Sequence, residues 1–329
     1  MRVLFVIGNG FDINLHLKTR YSDFYSYAKE KIPENLLIKK IVENEEAWSD
    51  FEVALGQSLE EYNNESIDEY INSFEEFILE FGKYLNAQMK TVDHLYSEEI
   101  CEALLSCFLT FFDHLNLDDK EVIRKRIHDT HENIIIDSLE FNYTGIFSKL
   151  MYDLKKKHES FGEFKNAFGT YHMILDRSLQ LHGTIENMIM GENDISQIKN
   201  EELAKNREIA TTFVKPMLNA TLRNGNNSRA QTMIEQSNII CLFGTSMGET
   251  DKKWWDLIGK RLINNADCYL CIYYYLDTSN RNVAAFRMGN IKNEIVDRFL
   301  SYIDANDELK RNLTNRIFIS FEDTLFSLL

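Results

Sequence analysis

Two prolines in 329 residues leave little to interrupt regular structure. So small a supply excludes a proline-rich disordered chain and suits a helix-rich globular one with a large core, organised as one or two domains. No apolar run approaches the roughly 20 residues needed to cross a bilayer, so no membrane span is expected. The N-terminus has no basic stretch before its short apolar run and no small-residue cleavage site, so it does not read as a signal peptide. Five cysteines in irregular spacing exclude a disulfide framework and fit a reducing cytoplasm. Cys268 and Cys271 make a CxxC, but they sit in "DCYLCIYYYL", which reads as a buried strand with no second pair nearby. His128 and His131 make an HxxH without a partnering acid or cysteine, so no metal is expected at either place. Positive charge is also in deficit. The net charge of −16 argues against a nucleic-acid groove.

That charge is unevenly placed. Val42 to Thr130 holds 22 acidic residues and 6 basic ones, while the remainder balances at 30 of each sign. The same stretch is periodic. Trp48, Phe51, Leu55, Leu59 and Tyr62 recur at three- and four-residue steps. So do Ile67, Tyr70, Ile71, Phe74, Phe77, Ile78, Phe81 and Leu85. A third apolar run, Ile100 to Leu115, is expected to lie between these two. The reading is an acidic, all-helical lobe (42–130) inserted into another domain (1–41 and 131–329). Its charge is most simply a solvated face, with a protein partner or self-association through the lobe as the alternative.

Outside the lobe the pattern is α/β. Short β-branched or aromatic runs stand at Val3–Ile7, Asn133–Asp137, Ile239–Phe243, Cys268–Leu276 and Arg316–Phe321, with amphipathic segments between them. Continuous hydrophobicity is expected of parallel strands covered on both faces. Such sheets take ligands beyond the carboxyl ends of their strands. Four likely ends carry small or polar residues. They are Gly8-Asn9-Gly10-Phe11-Asp12, then "EFNYT" at Glu140–Thr144, "HGT" at His182–Thr184 after the run "SLQL", and "GTSMGETD" at Gly244–Asp251. Each has a bland reading: a tight turn at Gly8 and Gly10, a helix cap at Asn142, Ser246 or Asp251, a satisfied histidine at His182. Their joint occurrence at strand ends predicts one shared cleft.

These residues carry a resemblance. "FVIGNGFDINLHLKTRYSDF" is similar to the signature of the AbiH family of bacteriophage abortive infection proteins. "WSDFE", "FNYT", "LHG" and "FGTSMGETD" follow in that family's order. AbiH proteins in turn resemble the sirtuin-like NAD-binding superfamily. The resemblance implies a Rossmann-like parallel sheet of sirtuin-like type and an antiphage role. It makes NAD the expected substrate, hydrolysed to nicotinamide and ADP-ribose. The matching positions are Gly8 with Gly10, Asn142, His182 with Gly183, and Gly244, Thr245 and Ser246. Deacylating sirtuins carry a four-cysteine zinc module between the His-Gly and the Gly-Thr-Ser. No cysteine lies between Gly183 and Ile240 here, which argues against deacylation.

The chemistry is coherent on these residues. The ribose–nicotinamide bond breaks through an oxocarbenium-like state, and nicotinamide leaves neutral, so no acid is needed. Asn142 can donate and accept at once, holding a ribose hydroxyl and a water, and His182 can take the proton. The backbone N–H groups of Gly8, Asn9, Gly10 and Phe11 are expected to cradle the diphosphate. Asp12, Tyr143 and Thr144 would complete the wall, with Thr144 bonding a ribose hydroxyl. Ile13 stands where a third fingerprint glycine would be, so the next helix is expected to start late, near Tyr21, leaving a loop over the site. Glu52 is expected to be solvated, with reach into the pocket as the alternative, and Asp251 to cap a helix, with anchoring of the Gly-Thr-Ser loop as the alternative. Two alternatives stay open: a nucleotide-sensing module without turnover, and a hydrolase or transferase acting on another nucleotide.

Overall fold

The structure, a computed structural model, describes residues 1–276, 284–321 and 325–328. Its centre is a seven-stranded sheet ordered β3-β4-β2-β1-β5-β6-β7. The strands are β1 (Arg2–Ile7), β2 (Ile134–Glu140), β3 (Phe161–Asn166), β4 (Gly169–Gln180), β5 (Ile239–Phe243), β6 (Tyr269–Tyr273) and β7 (Ile317–Ser320). The β3–β4 pair is antiparallel and the other five pairs are parallel. The five apolar runs are five of these strands, and β5 spans Ile239–Phe243 as expected. The run "SLQL" proves to be the end of β4, whose hairpin partner β3 alternates in burial as a half-solvated edge strand does.

Alternate residues of β1 feed two cores. Val3, Phe5 and Ile7 pack on one face with Phe108, Phe111 and Phe147. Leu4 and Val6 pack on the other with Trp255, Ile258 and Phe299. Full burial of each such side chain contributes roughly 1.5–3 kcal/mol. The sheet is therefore covered on both sides, which is why its central strands read as unbroken apolar runs.

The acidic stretch does not stay together. Trp48, Phe51 and Leu55 face inward as expected, in a third cluster built on helices Tyr21–Lys31, Leu36–Glu43, Phe51–Ser58 and Ile67–Met89. Tyr70, Phe74, Phe77, Phe81 and Leu85 form the buried stripe of the longest helix. That cluster also draws in Met190, Ile198, Ile209 and Phe213 from far along the chain. The run Ile100–Leu115, by contrast, lies against the sheet and not between the other two. Leu104, Phe108 and Phe111 meet Phe5 and Phe147 there. Periodicity marked these helices correctly but could not say which apolar surface each would cover.

Two constraints position the site. The first is register. Ile7 pairs with Glu140 and with Phe243, Glu140 with Gln180, and Phe243 with Tyr273. All these strands end at one level, so the segments after them emerge together. The order reverses around β1, because the chain steps outward through β2 and β4 and returns to β5 on the other side. Ligand crevices in open sheets form at such a reversal. The second constraint is contact. A Cβ on Gly8 would lie 2.5 Å from the Gly244 carbonyl oxygen, and one on Gly10 2.4 Å from the Gly244 Cα. Gly244 itself has φ +68° and would place a Cβ 2.7 Å from the Phe11 nitrogen. Gly225 offers a control, since its φ is +65° with nothing within 4 Å. Gly244→Ala should therefore cost clearly more than Gly225→Ala, beyond the ~1 kcal/mol of backbone strain the two share. Urea unfolding of both variants checks this; equal losses would show that loop contact contributes nothing.

Candidate functional site

The segments after β1, β2, β4, β5 and β6 enclose a cavity of about 790 Å3. Its lining includes Gly8, Asn9, Gly10, Asp12, Asn142, Tyr143, Thr144, His182, Gly244, Thr245 and Ser246. The helical cluster closes it with Tyr21, Phe51, Glu52 and Phe81. Two expected residues stand back from the wall. Phe11 is fully buried against Phe147 and Phe326, and Gly183 turns the chain at φ +82° beside the Asn187 carbonyl.

The Gly-Asn-Gly loop does not present a free row of amides. Gly8 donates to the Phe243 carbonyl at 2.9 Å, Gly10 to that of Gly244 at 2.9 Å, and Phe11 to that of Gly8 at 3.0 Å. The expected cradle thus loses two of its four donors to the joint between the loops and a third, Phe11, to a bond within its own loop. Asn9 is also engaged: its side chain accepts from the Thr19 hydroxyl at 2.7 Å and donates to the Thr19 carbonyl at 3.1 Å. A single helical turn, Gly10–Asn14, intervenes before the helix at Tyr21, so only residues 15–20 form the late loop.

Asn142 is 5% exposed, and neither its amide nitrogen nor its oxygen makes an aligned hydrogen bond among the described residues, although the side chain lies near enough to Asp12 to favour that carboxylate. It caps nothing; the following helix begins after Gly145 with no side-chain cap. Burying both ends of an amide unpaired costs several kcal/mol at the level of about 1–3 per group, so such atoms mark a place where a ligand or water completes the set. His182 is 7% exposed and lies edge-on to Phe141 at 5.2 Å, while Phe141 stacks on Trp255. Its Nε2 is 3.2 Å from Asp251 Oδ1, at ion-pair distance though not aligned as a hydrogen bond.

Asp251, expected to cap a helix, makes no capping bond to the helix it precedes. It faces His182 on one side and Lys215 on the other, the latter at 3.8 Å. Burial pushes its carboxyl up, and Lys215 and His182 more than offset this, holding it below the ordinary range. Glu52, expected in solvent, is 8% exposed and accepts from Lys215 Nζ at 2.7 Å. Lys215 had no signal in the sequence beyond a lone cation in "FVKPM". Burial alone would favour its neutral form, but Glu52 and Asp251 raise it above the usual lysine value.

On the opposite wall Asp12 is fully buried. Burial pushes it up to about 7, against the Thr144 hydroxyl, which it accepts at 2.8 Å, and against Asn142. Glu140 beneath it is pushed up to about 8 by burial, although the Ser148 amide and hydroxyl bond it at 3.0 and 2.6 Å. Of the two histidines in HxxH, His128 faces Asp129 at the surface and His131 packs on Phe168. Among the described residues no group of three or more His, Cys, Asp or Glu is placed to hold a metal ion, and no helix is long and apolar enough to cross a membrane.

A mostly parallel sheet with helices on both faces and a partly open cavity over its strand ends defines an α/β protein of the open-sheet class. The family model for bacteriophage abortive infection AbiH matches residues 4–274, and the chain belongs to that family. Its membership points to antiphage abortive infection. No curated protein and no solved structure gives a match.

The buried carboxyls generate a pH prediction. The folded value of Asp12 is raised, so its contribution is complete below the unfolded value near 3.8 and is lost as pH rises through about 7. Asp12→Asn keeps an acceptor for Thr144 and removes that loss. Relative to wild type, the variant should gain stability between pH 5 and pH 8 by about 2–3 kcal/mol. Urea unfolding at the two pH values measures it; a parallel pH dependence of the two proteins would show that Asp12 is ionised throughout.

Proposed function

We propose that this cavity binds NAD and hydrolyses it to nicotinamide and ADP-ribose, within a sirtuin-like arrangement of the sheet. The observation that carries the reading is Asn142, buried with neither amide atom in an aligned hydrogen bond among the described residues and lining the same cavity as the His182–Asp251 pair. A ribose needs a group that donates to one oxygen while accepting from another hydroxyl, and an asparagine does both. The volume suits a ligand of this size, since pockets of ~300–1,000 Å3 enclose most of a small ligand.

In the reaction the C–N bond to nicotinamide breaks and its electron pair leaves with the ring nitrogen, which becomes neutral. Water oxygen bonds to the anomeric carbon. Its proton passes to His182. Because Nε2 is the nitrogen turned to Asp251, Nδ1 is the one left for the proton. Asp251 steadies the imidazolium that forms, as a carboxylate behind a histidine base does. The diphosphate falls to Arg20, Thr245 and Ser246, which line the cavity, because the Gly8, Gly10 and Phe11 amides are committed elsewhere. Thr144 already donates to Asp12, so its bond to a ribose would be made through its oxygen.

A second reading has an observation of its own. The cavity wall is shared between the sheet and the helical cluster, so a bound nucleotide would tie the two together, as a sensor without turnover requires.

NAD incubated with the protein, purified and in phage-challenged cells, should yield nicotinamide and ADP-ribose. His182→Ala and Asn142→Ala should each lower that yield by about a hundredfold or more. Saturable NAD binding without nicotinamide release under either condition would establish the sensor reading instead. Undiminished release by the His182 variant would remove this histidine from the reaction.

A further inference from the structure

Four segments distant in sequence converge on one buried row of charges. Glu52 comes from the first turn of helix Phe51–Ser58, Lys215 from the first turn of helix Lys215–Leu222, Asp251 from the loop after β5 and His182 from the turn after β4. The spacings run 2.7 Å from Glu52 to Lys215, 3.8 Å from Lys215 to Asp251 and 3.2 Å from Asp251 to His182. Lys215 is 3% exposed. A buried ammonium with its counter-ions costs more in desolvation than it returns unless its geometry is good, so apolar packing would serve stability as well. The row is better explained by what it aligns.

We propose that Lys215, held by Glu52, is a positioning residue that fixes the Asp251 carboxylate and through it the ring orientation and tautomer of His182. Among the described residues Asp251 makes no helix cap and its Oδ1 no aligned hydrogen bond, and the charged groups at ion-pair distance from that oxygen are His182 and Lys215. Lys215 is therefore the cation that sets where that oxygen stands. The groups around Lys215 are Glu52, Asp251 and Glu192. Glu192 is pushed up to about 8 by burial and by Glu52, and its Oε1 accepts from the Gly56 amide at 3.0 Å. Lys215 stands between two carboxyl groups at ion-pair distance, Glu52 toward the helical cluster and Asp251 toward His182. The cation thus joins the helical cluster to the imidazole. Behind metal-ligating histidines, removal of such outer partners typically costs ~10–100-fold, and the same orienting role applies to a histidine that accepts a proton.

The catalytic part of this proposal rests on the reading of His182 as proton acceptor; the positioning part does not. The test is 15N NMR of the His182 ring in the full chain at pH 7, for wild type, Lys215→Met and the charge-balanced Glu52→Gln/Lys215→Met. Wild type should show one tautomer, with the proton on Nε2. That population should fall in the single variant and stay low in the double variant, which leaves no unpaired charge at the Glu52–Lys215 position. Wild-type ring shifts in the single variant would overturn the proposal. Restoration of the tautomer in the double variant would overturn it too, because the effect would then be only that of a stranded Glu52. Where the single variant does not fold, the double variant decides alone. The kinetic arm expects the double variant's kcat for nicotinamide release to fall about tenfold or more with KM within about twofold. Absence of release by wild type would defeat the NAD reading while the tautomer still decides the role of Lys215.

Discussion

Two backbone segments touch where β1 and β5 end, at a separation that admits no Cβ. Much of the site follows from that contact. It draws the Gly8–Gly10 turn and the Gly244–Ser246 turn over the sheet edge, and it turns amides that would otherwise face a ligand into the joint between them. The glycines therefore act as spacers between chains, and the cavity lies beside their contact. Trp255 and Tyr302 hold the far side of the β5 loop through the Gly248 and Met247 carbonyls. Asp251 is thereby delivered to His182.

The cavity also sets unlike electrostatic conditions on its two walls. Asp12 and Glu140 are carboxyls kept from ionising easily by burial, with only neutral hydroxyls and amides as partners. Asp251 and Glu52 are less completely buried and share the Lys215 ammonium. Burial thus raises the first pair of carboxyls, while Lys215 and His182 lower Asp251. Separated acid–base environments of this kind are frequent at functional sites, though ion-pair networks produce them as well.

Much of this was legible in the sequence. The apolar runs gave five strands because buried parallel strands must be apolar on both faces, and their polar ends lie together because the register is level. The edge hairpin escaped because β3 is half polar and short. The helices at 98–128 were visible, but their destination was not: amphipathicity fixes which face is buried and leaves open what covers it. Glu52 and Asp251 were misjudged for one reason. A carboxylate on a helix or ahead of one is most often solvated or capping, and only the third dimension shows a lysine 163 residues on from Glu52 and within reach of it. Lys215 has no motif at all. Buried cations are uncommon and their partners are set by packing.

The stack of Phe141 on Trp255 links the site to light as well as to chemistry. Phe141 precedes Asn142 and meets the His182 ring, and the indole beneath it donates to Gly248 in the β5 loop. Trp48 belongs instead to the helical cluster, packed on Phe51. Of the three tryptophans, Trp255 lines the cavity, Trp254 lies in the core beside the sheet and Trp48 lies in the helical cluster, so their emission is separable by single substitution. The cavity wall and the helical cluster thus carry different intrinsic chromophores, with no label attached.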